Sequence, residues 1–328
     1  MFGLFSQKWN PDGKHVYITG GSSGLGLALA HILAQKGAHI SIVARNQTKL
    51  DEAIESIEKL RVSPSQIFKA YSLPLDSGSA AAKALETVSD AHGGEAPDAI
   101  FTCAGASTPK FFIDMDEKDM VDGMMNAYWL QAWTAWAATK QMVRGGKRGA
   151  KIVFVSSTLG YMTFVGYASY SPGKHALRGL ADTLNSELKL YGIDVHIYFP
   201  GTMFTPGYTE ETKTKPEITQ TIEGTDGVTA EQAALALYKG MALHYVVGLY
   251  SRILGVVNGN YHISGDLITD LFCASTRGAA PRNNWLLEGL YDLVAYIAVP
   301  VWRSSVEKQV LAHREEHQTY LAKKGFYS

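Results

Sequence analysis

Residues 17–30, "YITGGSSGLGLALA", decide the fold, because they join a β-branched and aromatic run to a leucine- and alanine-rich run through a glycine-rich turn. Gly20, Gly24 and Gly26 directly follow the first run and open the second. Glycine lacks a Cβ atom, so a phosphate ester can approach the backbone, and a helix N-terminus supplies free N–H groups. Helix–strand packing also requires small residues, but in this strand–turn–helix context the pattern predicts a dinucleotide-binding turn.

Short β-rich runs alternate with longer amphipathic stretches through the first two thirds of the chain. The predicted strands are 15–19, 38–44, 66–73, 98–103, 151–157 and 194–199. The predicted helices are 24–36, 47–60, 79–92, 115–143 and 172–191. This order is typical of an α/β protein with a Rossmann-type, doubly wound parallel sheet flanked by helices, so functional residues are expected at the carboxyl ends of the strands.

The last third of the chain has a different character. Residues 202–229 contain nine threonines among charged residues, proline and glycine, and they predict a mobile surface segment. Two apolar regions follow, at 233–258 and 285–302. We therefore expect a nucleotide-binding and catalytic domain at 1–265, and an apolar, membrane-associating helical extension at 266–328.

Composition excludes several classes of protein. Hydrophobic residues make up 46% of the 328 residues, which is ample for a core, and the 30 basic side chains nearly balance the 31 acidic ones. No dense basic block suggests nucleic acid as a partner. Two cysteines, Cys103 and Cys273, argue against a disulfide framework. No cluster indicates a metal site, and no cleaved targeting segment is apparent.

The second predicted strand ends "SIVARN" and bears on the choice of cofactor. An acid at this strand end binds the ribose 2′-hydroxyl of NAD, whereas an arginine accommodates the 2′-phosphate of NADP. Ala44 occupies the place of that acid and Arg45 follows it, so the sequence predicts NADP(H). Ser22 and Ser23 could donate hydrogen bonds to the same phosphate, and Lys49 could add charge. Alternatively, Arg45 only solvates the end of the strand.

The stretch "YSPGK" at 170–174 predicts the catalytic pair. Reduction of a ketone requires a proton donor, and a nearby ammonium can lower the pKa of a tyrosine toward neutrality. Tyr170 and Lys174 lie one helical turn apart if a helix begins at about Ala168 or Ser169, which places Pro172 in its first turn. Gly173 is expected to leave open space for ribose and substrate.

The glycine spacing with Thr19 ahead of it, together with Tyr170-x-x-x-Lys174, resembles the short-chain dehydrogenase/reductase family over roughly residues 14–205. That resemblance implies that Tyr170 is the general acid and that Lys174 also binds the nicotinamide ribose hydroxyls. It also implies Ser157 as the hydrogen-bond partner of the substrate carbonyl, and Asn126 as the anchor of a proton-relay water. Ser156 should face the other side of its strand and have a structural role.

The same resemblance implies further cofactor contacts. Asp76 matches the acid that accepts from the adenine amino group, although on its own it could also be a helix N-cap. "TCAG" at 102–105 departs from the family's Asn-Asn-Ala-Gly at its polar pair, but keeps Ala104 and Gly105 against the cofactor. Thr202 belongs to the turn that contacts the nicotinamide carboxamide.

Segments outside the catalytic core, notably "TEETKTKPE" at 209–217, resemble the branch of the family that reduces 3-ketodihydrosphingosine. This resemblance implies a lipophilic keto substrate, with residues 203–229 as a lid over it. Two alternatives remain open. The substrate could be another lipophilic ketone (a steroid, a retinoid or a 3-oxoacyl thioester), or the protein could be a sensor that binds NADP(H) without turnover.

The C-terminal run at 285–302 suggests a membrane surface as a partner. Eighteen residues barely span a bilayer, and Glu288 and Asp292 would be costly at its centre, so association is favoured over spanning. Residues 241–257 are a possible second contact. The family resemblance implies the cytosolic face of the endoplasmic reticulum, with which the charges of Arg303 and Lys308 agree.

A tryptophan stripe, made of Trp129, Trp133 and Trp136, recurs at helical spacing near Asn126. The stripe could be buried within the fold. The corresponding helices of the family commonly pair between subunits, so a homodimer or homotetramer is expected.

Overall fold

A computed structural model describes residues 9–239 and 259–326 of the chain. The strands of the main sheet are β1 His15–Thr19, β2 His39–Ala44, β3 Phe68–Ser72, β4 Ala99–Thr102, β5 Lys151–Val155, β6 Asp194–Phe199 and β9 His262–Ser264; a two-stranded sheet pairs β7 Met203–Phe204 with β8 Val228–Thr229. The helices before residue 200 are α1 Gly24–Ala34, α2 Gln47–Glu58, α3 Gly78–Asp90, α4 Glu117–Met124, α5 Leu130–Arg144 and α6 Ser171–Glu187. The later helices are α7 Pro206–Thr212, α8 Glu217–Glu223, α9 Ala230–Lys239, α10 Leu267–Thr276, α11 Trp285–Ala312 and α12 Arg314–Lys323.

The main sheet has seven parallel strands in the order β3-β2-β1-β4-β5-β6-β9, which confirms the predicted fold class. Strand order reverses between β1 and β4, where Thr19 is paired with both Val43 and Thr102. In such sheets the crevice at the reversal point is the ligand site. All six predicted strands are present in this sheet. Its seventh strand, β9, was not predicted from the sequence.

Two apolar layers cover the sheet. One face packs under α1, α2 and α9, with Ile18 and Leu29 fully buried, and the other packs under α3, α5 and α6, with Phe154 and Leu177 fully buried. The strands read as near-continuous hydrophobic runs because both faces of a parallel sheet are covered.

The predicted helix 115–143 is interrupted by a π-helical turn at Met125–Trp129, between α4 and α5. A π turn inserts one extra residue into a helix, and such turns occur frequently at functional sites. No residue pattern in "GMMNAYWLQAW" signals this turn, since each of its residues is compatible with a continuous helix.

The segment 202–229 contains two short helices, α7 and α8, between the paired strands β7 and β8. Thr205 caps α7 by accepting a hydrogen bond from the backbone N–H of Tyr208 at 3.2 Å. At this position a threonine therefore supplies a helix cap within regular secondary structure.

The apolar run 285–302 lies in a longer helix, α11, which continues to Ala312 with Pro300 inside it. Its hydropathy and length suffice for a membrane span. Only 11% of the most apolar 18-residue window is buried, so this helix is not a core helix. Glu288 and Asp292 face the protein, where Glu288 pairs with Arg277 at 2.8 Å and Asp292 with Arg282 at 2.6 Å. The opposite face exposes apolar side chains at Leu286, Leu290, Leu293, Ile297 and Val301.

The tryptophan stripe is only partly covered. Trp129 stacks on Trp133 with ring centroids 4.8 Å apart, and Trp133 packs against the core and beside Trp136. Trp129 and Trp136 remain 37% and 43% exposed, so complete burial within the fold is wrong.

Candidate active site

The glycine-rich turn closes tightly on neighbouring backbone. The φ of Gly20 is +67°, and a Cβ there would lie 2.9 Å from the Cα of Ala104. A Cβ at Gly26 would lie 2.5 Å from the carbonyl oxygen of Gly20. These two glycines are therefore required by the turn itself, while Gly24, with φ +52°, opens α1.

The start of α1 suits an anionic group. Ser23 is the N-cap residue, yet its hydroxyl makes no capping hydrogen bond, and both Ser22 and Ser23 are partly exposed. The first-turn N–H groups of a helix have no intrahelical acceptor, so this end can accept a phosphate. The backbone cradle and the uncommitted serine hydroxyls fit the pyrophosphate of a dinucleotide.

Arg45 and Lys49 lie at the carboxyl end of β2 and in the first turn of α2. Both side chains are exposed, and within residues 9–239 and 259–326 neither forms an ion pair. Asn46 caps α2 by accepting from the backbone N–H of Lys49 at 2.9 Å, which fixes the backbone on which both cations stand. Both exposed charges are therefore available for a phosphate.

Asp76 is exposed and lies just before α3, on the loop after β3. The N-cap of α3 is Ser77, whose hydroxyl accepts from the backbone N–H of Ala80 at 3.1 Å. The alternative that Asp76 is a helix cap is therefore wrong, and its side chain is exposed on the loop between β3 and α3.

The "TCAG" segment is held by contacts that replace a polar pair. The backbone N–H of Ala104 donates to the Thr19 hydroxyl at 3.1 Å, and the Thr102 hydroxyl donates to Gln131 Oε1 at 2.7 Å. Gln131 also accepts from the N–H of Val155 at 3.1 Å and donates to its carbonyl at 2.8 Å. Gln131 thus joins the ends of β4 and β5, a role that only its place among apolar residues on α5 could have signalled.

Helix α6 begins at Ser171, with Tyr170 as its N-cap residue in a right-handed helical conformation. The predicted start at Ala168 or Ser169 is therefore too early. Pro172 lies in the first turn as predicted, where the N–H that it lacks needs no partner. The backbone N–H of Lys174 donates to the carbonyl of Tyr170 at 3.2 Å, so one helical turn joins the pair.

The three polar side chains Ser157, Tyr170 and Lys174 meet at the ends of β5 and α6. The Ser157 hydroxyl interacts with the Tyr170 phenol, and the Lys174 Nζ lies 5.4 Å from the centroid of the Tyr170 ring. Lys174 is buried and donates to the carbonyl of Val155 at 2.9 Å. The Ser156 hydroxyl turns away and donates to the Lys174 carbonyl at 3.3 Å, in agreement with a structural role.

Burial is the largest influence on the pKa values of Tyr170 and Lys174. It raises the pKa of Tyr170, with the negative charge of Glu211 adding to the rise and the Ser157 hydrogen bond opposing it. Burial lowers the pKa of Lys174 to about 7. The expected lowering of the tyrosine pKa by Lys174 is wrong for this arrangement, because desolvation outweighs an ammonium that is itself easily deprotonated.

Gly173 does not leave open space, contrary to the expectation. A Cβ there would lie 2.6 Å from the Cβ of Ala127 in the π turn. A Cβ at Gly123 would similarly lie 2.3 Å from the carbonyl oxygen of Ser169. Glycine at these positions lets α4 and the π turn pack directly on the residues around Tyr170.

The π turn carries Asn126, whose Nδ2 donates to the carbonyl of Asp122 at 2.8 Å. The main-chain oxygen of Asn126 faces Gly105, where a Cβ would lie 2.8 Å from it. The π turn that carries Asn126 thus lies between the loop after β4 and α6.

Thr202 connects the end of β6 to a buried charged group in the lid. Its hydroxyl donates to Glu223 Oε1 at 2.7 Å, and the other oxygen of Glu223 accepts from Lys215. Lys215 Nζ also lies 2.9 Å from Glu211 Oε1, which accepts from the hydroxyl of Tyr167 at 2.7 Å. We call Glu211, Lys215 and Glu223 the lid network; nothing in the threonine-rich sequence distinguishes these three charges from solvated ones.

The sequence model of the family described as "short chain dehydrogenase" matches residues 14–216 of the chain. The chain therefore belongs to the short-chain dehydrogenase family; it is an oxidoreductase, and the family's cofactor is a nicotinamide dinucleotide.

Among curated proteins, the chain is 39% identical to a 3-ketodihydrosphingosine reductase of Cryptococcus neoformans, over 97% of this chain and 90% of that one. It is 33% identical to a 3-dehydrosphinganine reductase of Danio rerio, over 86% and 80% respectively. Among solved structures, it resembles a short chain dehydrogenase of Mycobacterium paratuberculosis bound to NAD, with a TM-score of 0.59, 24% identity, and coverage of 69% of this chain and 90% of that one. The relatives associate the chain with sphingolipid synthesis, and the solved structure supports the fold.

Proposed function

We propose that the protein reduces the 3-keto group of 3-ketodihydrosphingosine to dihydrosphingosine with NADPH. The similarity to the Cryptococcus protein over 97% of the chain carries this proposal, because it includes the lid and the C-terminal helices as well as the shared core. Arg45 after β2 and Lys49 in the first turn of α2, which form no ion pair within the described residues, support NADP(H) over NAD(H), because Ala44 rather than an acid ends β2.

In this proposal each polar group at the site has one role. Ser157 donates a hydrogen bond to the substrate carbonyl, and Tyr170 delivers the proton to its oxygen as negative charge develops. Lys174 binds the nicotinamide ribose hydroxyls, and the Asn126 region holds a water that returns protons toward it. The nicotinamide cofactor, when bound, supplies the hydride.

The binding contacts of the cofactor follow the crevice. The turn from Gly20 to Gly26, with Ser22 and Ser23, holds the phosphates, while Arg45 and Lys49 hold the 2′-phosphate. Asp76 is assigned to the adenine amino group. Ala104, Gly105 and Thr202 line the path to the nicotinamide.

Activity assays test the proposal directly. Purified protein with NADPH should turn over 3-ketosphinganine faster than a steroid, a retinoid or a 3-oxoacyl thioester, and Tyr170→Phe should lower kcat by about 100-fold or more. Preference for one of the other ketones would refute the assignment of 3-ketosphinganine as the substrate. Full activity of Tyr170→Phe would refute the mechanism, and a failure to oxidise NADPH with any ketone would favour the cofactor-binding sensor.

We also propose that residues 203–229 act as a substrate lid on a catalytic domain at 1–265, and that 266–328 associate with the cytosolic face of the endoplasmic reticulum membrane. The outward apolar face of α11, with its two acids paired inward, supports an orientation parallel to the surface. The proposed second contact at 241–257 lies outside the described residues.

A homodimer or homotetramer is proposed from the tryptophan stripe. The exposed faces of Trp129 and Trp136 lie on the helix segment that carries Asn126, and aromatic residues are enriched at the centres of interfaces. Sedimentation of the detergent-solubilised protein should give a dimer or tetramer, and Trp136→Glu should shift it toward the monomer.

A further inference from the structure

The lid network has one more negative charge than positive charge. Lys215 is the only cation in contact with Glu211 and Glu223 among the described residues, and its side chain is fully buried. The side chains of Glu211 and Glu223 are only 18% and 12% exposed. A surplus charge removed from water is costly unless a cation or hydrogen-bond donors compensate it.

The oxygens of these two carboxylates are not equally engaged. Glu223 uses both oxygens, one for Thr202 and one for Lys215. Glu211 uses Oε1 alone, for the Tyr167 hydroxyl and Lys215, and no described residue donates a hydrogen bond to its Oε2. Glu211 Oε2 is thus without a donor among the described residues, on a side chain that is partly exposed.

Glu211 lies beside the reacting groups. Its partner Tyr167 is three residues before Tyr170, with ring centroids 6.1 Å apart, and the charge of Glu211 acts on Tyr170. The network is linked on its other side to Thr202 at the end of β6. Glu211 is therefore joined through Tyr167 to the segment that carries Tyr170, and its charge acts on the Tyr170 phenol.

We infer that Glu211 recognises the ammonium group of an α-aminoketone substrate through its Oε2 atom. The inference rests on the proposed function, since 3-ketodihydrosphingosine carries an amino group on the carbon next to its ketone. That ammonium supplies the missing positive charge and three N–H donors. Glu223 and Lys215 position Glu211, and Glu211 selects against ketones that lack the amine.

Paired substrates test the assignment. We would measure kcat/KM for 3-ketosphinganine and for the same ketone with hydrogen in place of the amino group, in the wild type, Glu211→Gln and Glu210→Gln. Glu210 is the matched control, since it belongs to the same helix α7 and pairs with Lys213 at the surface. The ratio of the two kcat/KM values should fall about 10- to 100-fold in Glu211→Gln, as expected for loss of a hydrogen bond to a charged group, and stay unchanged in Glu210→Gln.

An unchanged ratio of kcat/KM values in Glu211→Gln would overturn the inference. This includes the case in which both ketones lose activity equally, because a purely structural role would affect them alike. A wild type that reduces the amine-free ketone but not 3-ketosphinganine would instead refute the proposed function. A fall in the ratio with both glutamine variants would assign recognition to the general charge of the lid and would also overturn the role of Glu211.

Discussion

Lys174 combines its proposed role at the site with a cost to folding. Its pKa is lowered from 10.5 to about 7 by burial, so at neutral pH the fold partly discharges a group that is fully charged in the unfolded chain. Between these two pKa values the unfolded state binds more protons, and stability rises with pH. Its hydrogen-bond acceptor, the carbonyl of Val155, has a second donor in Gln131 and would stay paired without the lysine.

We therefore predict that Lys174→Met increases the free energy of unfolding at pH 7 while abolishing reductase activity. The gain should shrink by on the order of 3 kcal/mol between pH 7 and about pH 9.5, because removing the proton of Lys174 on folding costs less as the pH approaches 10.5, the pKa of the unfolded lysine. Urea unfolding at the two pH values measures the change. A gain that is independent of pH would show that Lys174 is not discharged in the native state.

Arg45 offers a second prediction for a single residue. Arg45→Ala should weaken NADPH binding about 10- to 100-fold, as expected for loss of a charge-assisted hydrogen bond, with little change for NADH. Calorimetric titration with both cofactors gives the two dissociation constants. Arg144, an exposed arginine at the end of α5, is a control position for the loss of one positive charge. Equal losses for both cofactors would place the 2′-phosphate elsewhere.

Among the helices, α6 provides a matched pair of glycines. A Cβ added at Gly173 would lie 2.6 Å from the Cβ of Ala127, whereas a Cβ added at Gly179 would have no neighbour within 4 Å. Gly179→Ala should therefore stabilise the protein by up to about 1 kcal/mol through helix propensity. Gly173→Ala should destabilise it by about 1–3 kcal/mol through overpacking, and lower kcat by moving α6 away from the π turn.

Thermal unfolding and activity assays on both variants would check this prediction. Stabilisation by Gly173→Ala, with activity retained, would mean that the contact between α6 and the π turn relaxes easily and does not position Tyr170.

The same elements show how far sequence reasoning extends. Alternating β-rich and amphipathic runs identify six strands and the sheet type, because each signal is local in the chain. The π turn, the cap at Tyr170 and the packing of Gly173 depend on contacts between α6 and residues over 40 positions earlier, and no local pattern encodes them. The paired motif Tyr170 and Lys174 was predictable since the chemistry itself requires one-turn spacing, but the protonation states were not.

At the scale of the whole molecule, the outward face of α11 gives a prediction about membranes. Leu293→Glu combined with Ile297→Glu should prevent recovery of the protein with liposomes, because both side chains are exposed on the face proposed to enter the interface. Leu190→Glu, which charges an exposed leucine after α6, is the control and should leave recovery unchanged. Flotation of the three proteins with vesicles measures the difference.

Carbonate extraction addresses orientation separately. A helix that lies on the surface should be released from membranes at alkaline pH, while a spanning helix should remain. The inward ion pairs of Glu288 and Asp292 favour release, since a spanning α11 would have to keep Arg277 and Arg282 beside it within the bilayer.

Long-range organisation explains why the lid was the hardest region to predict. Its helices are short, and its charged residues find partners from β6, the segment before α6 and each other. Such pairing depends on the finished sheet, which places Thr202 and Tyr167 on the same side of the site.

The burial of Lys215 has a consequence for experiments. A lysine with a fully covered side chain cannot react with an acylating reagent until the contacts around it separate, whereas Lys213, two residues away, is exposed and serves as an internal reference. The rate of acylation at Lys215, relative to that at Lys213, therefore measures how often the contacts within residues 206–223 separate. A bound aminoketone should slow the acylation of Lys215. Mass spectrometry could follow this reaction without any enzyme assay.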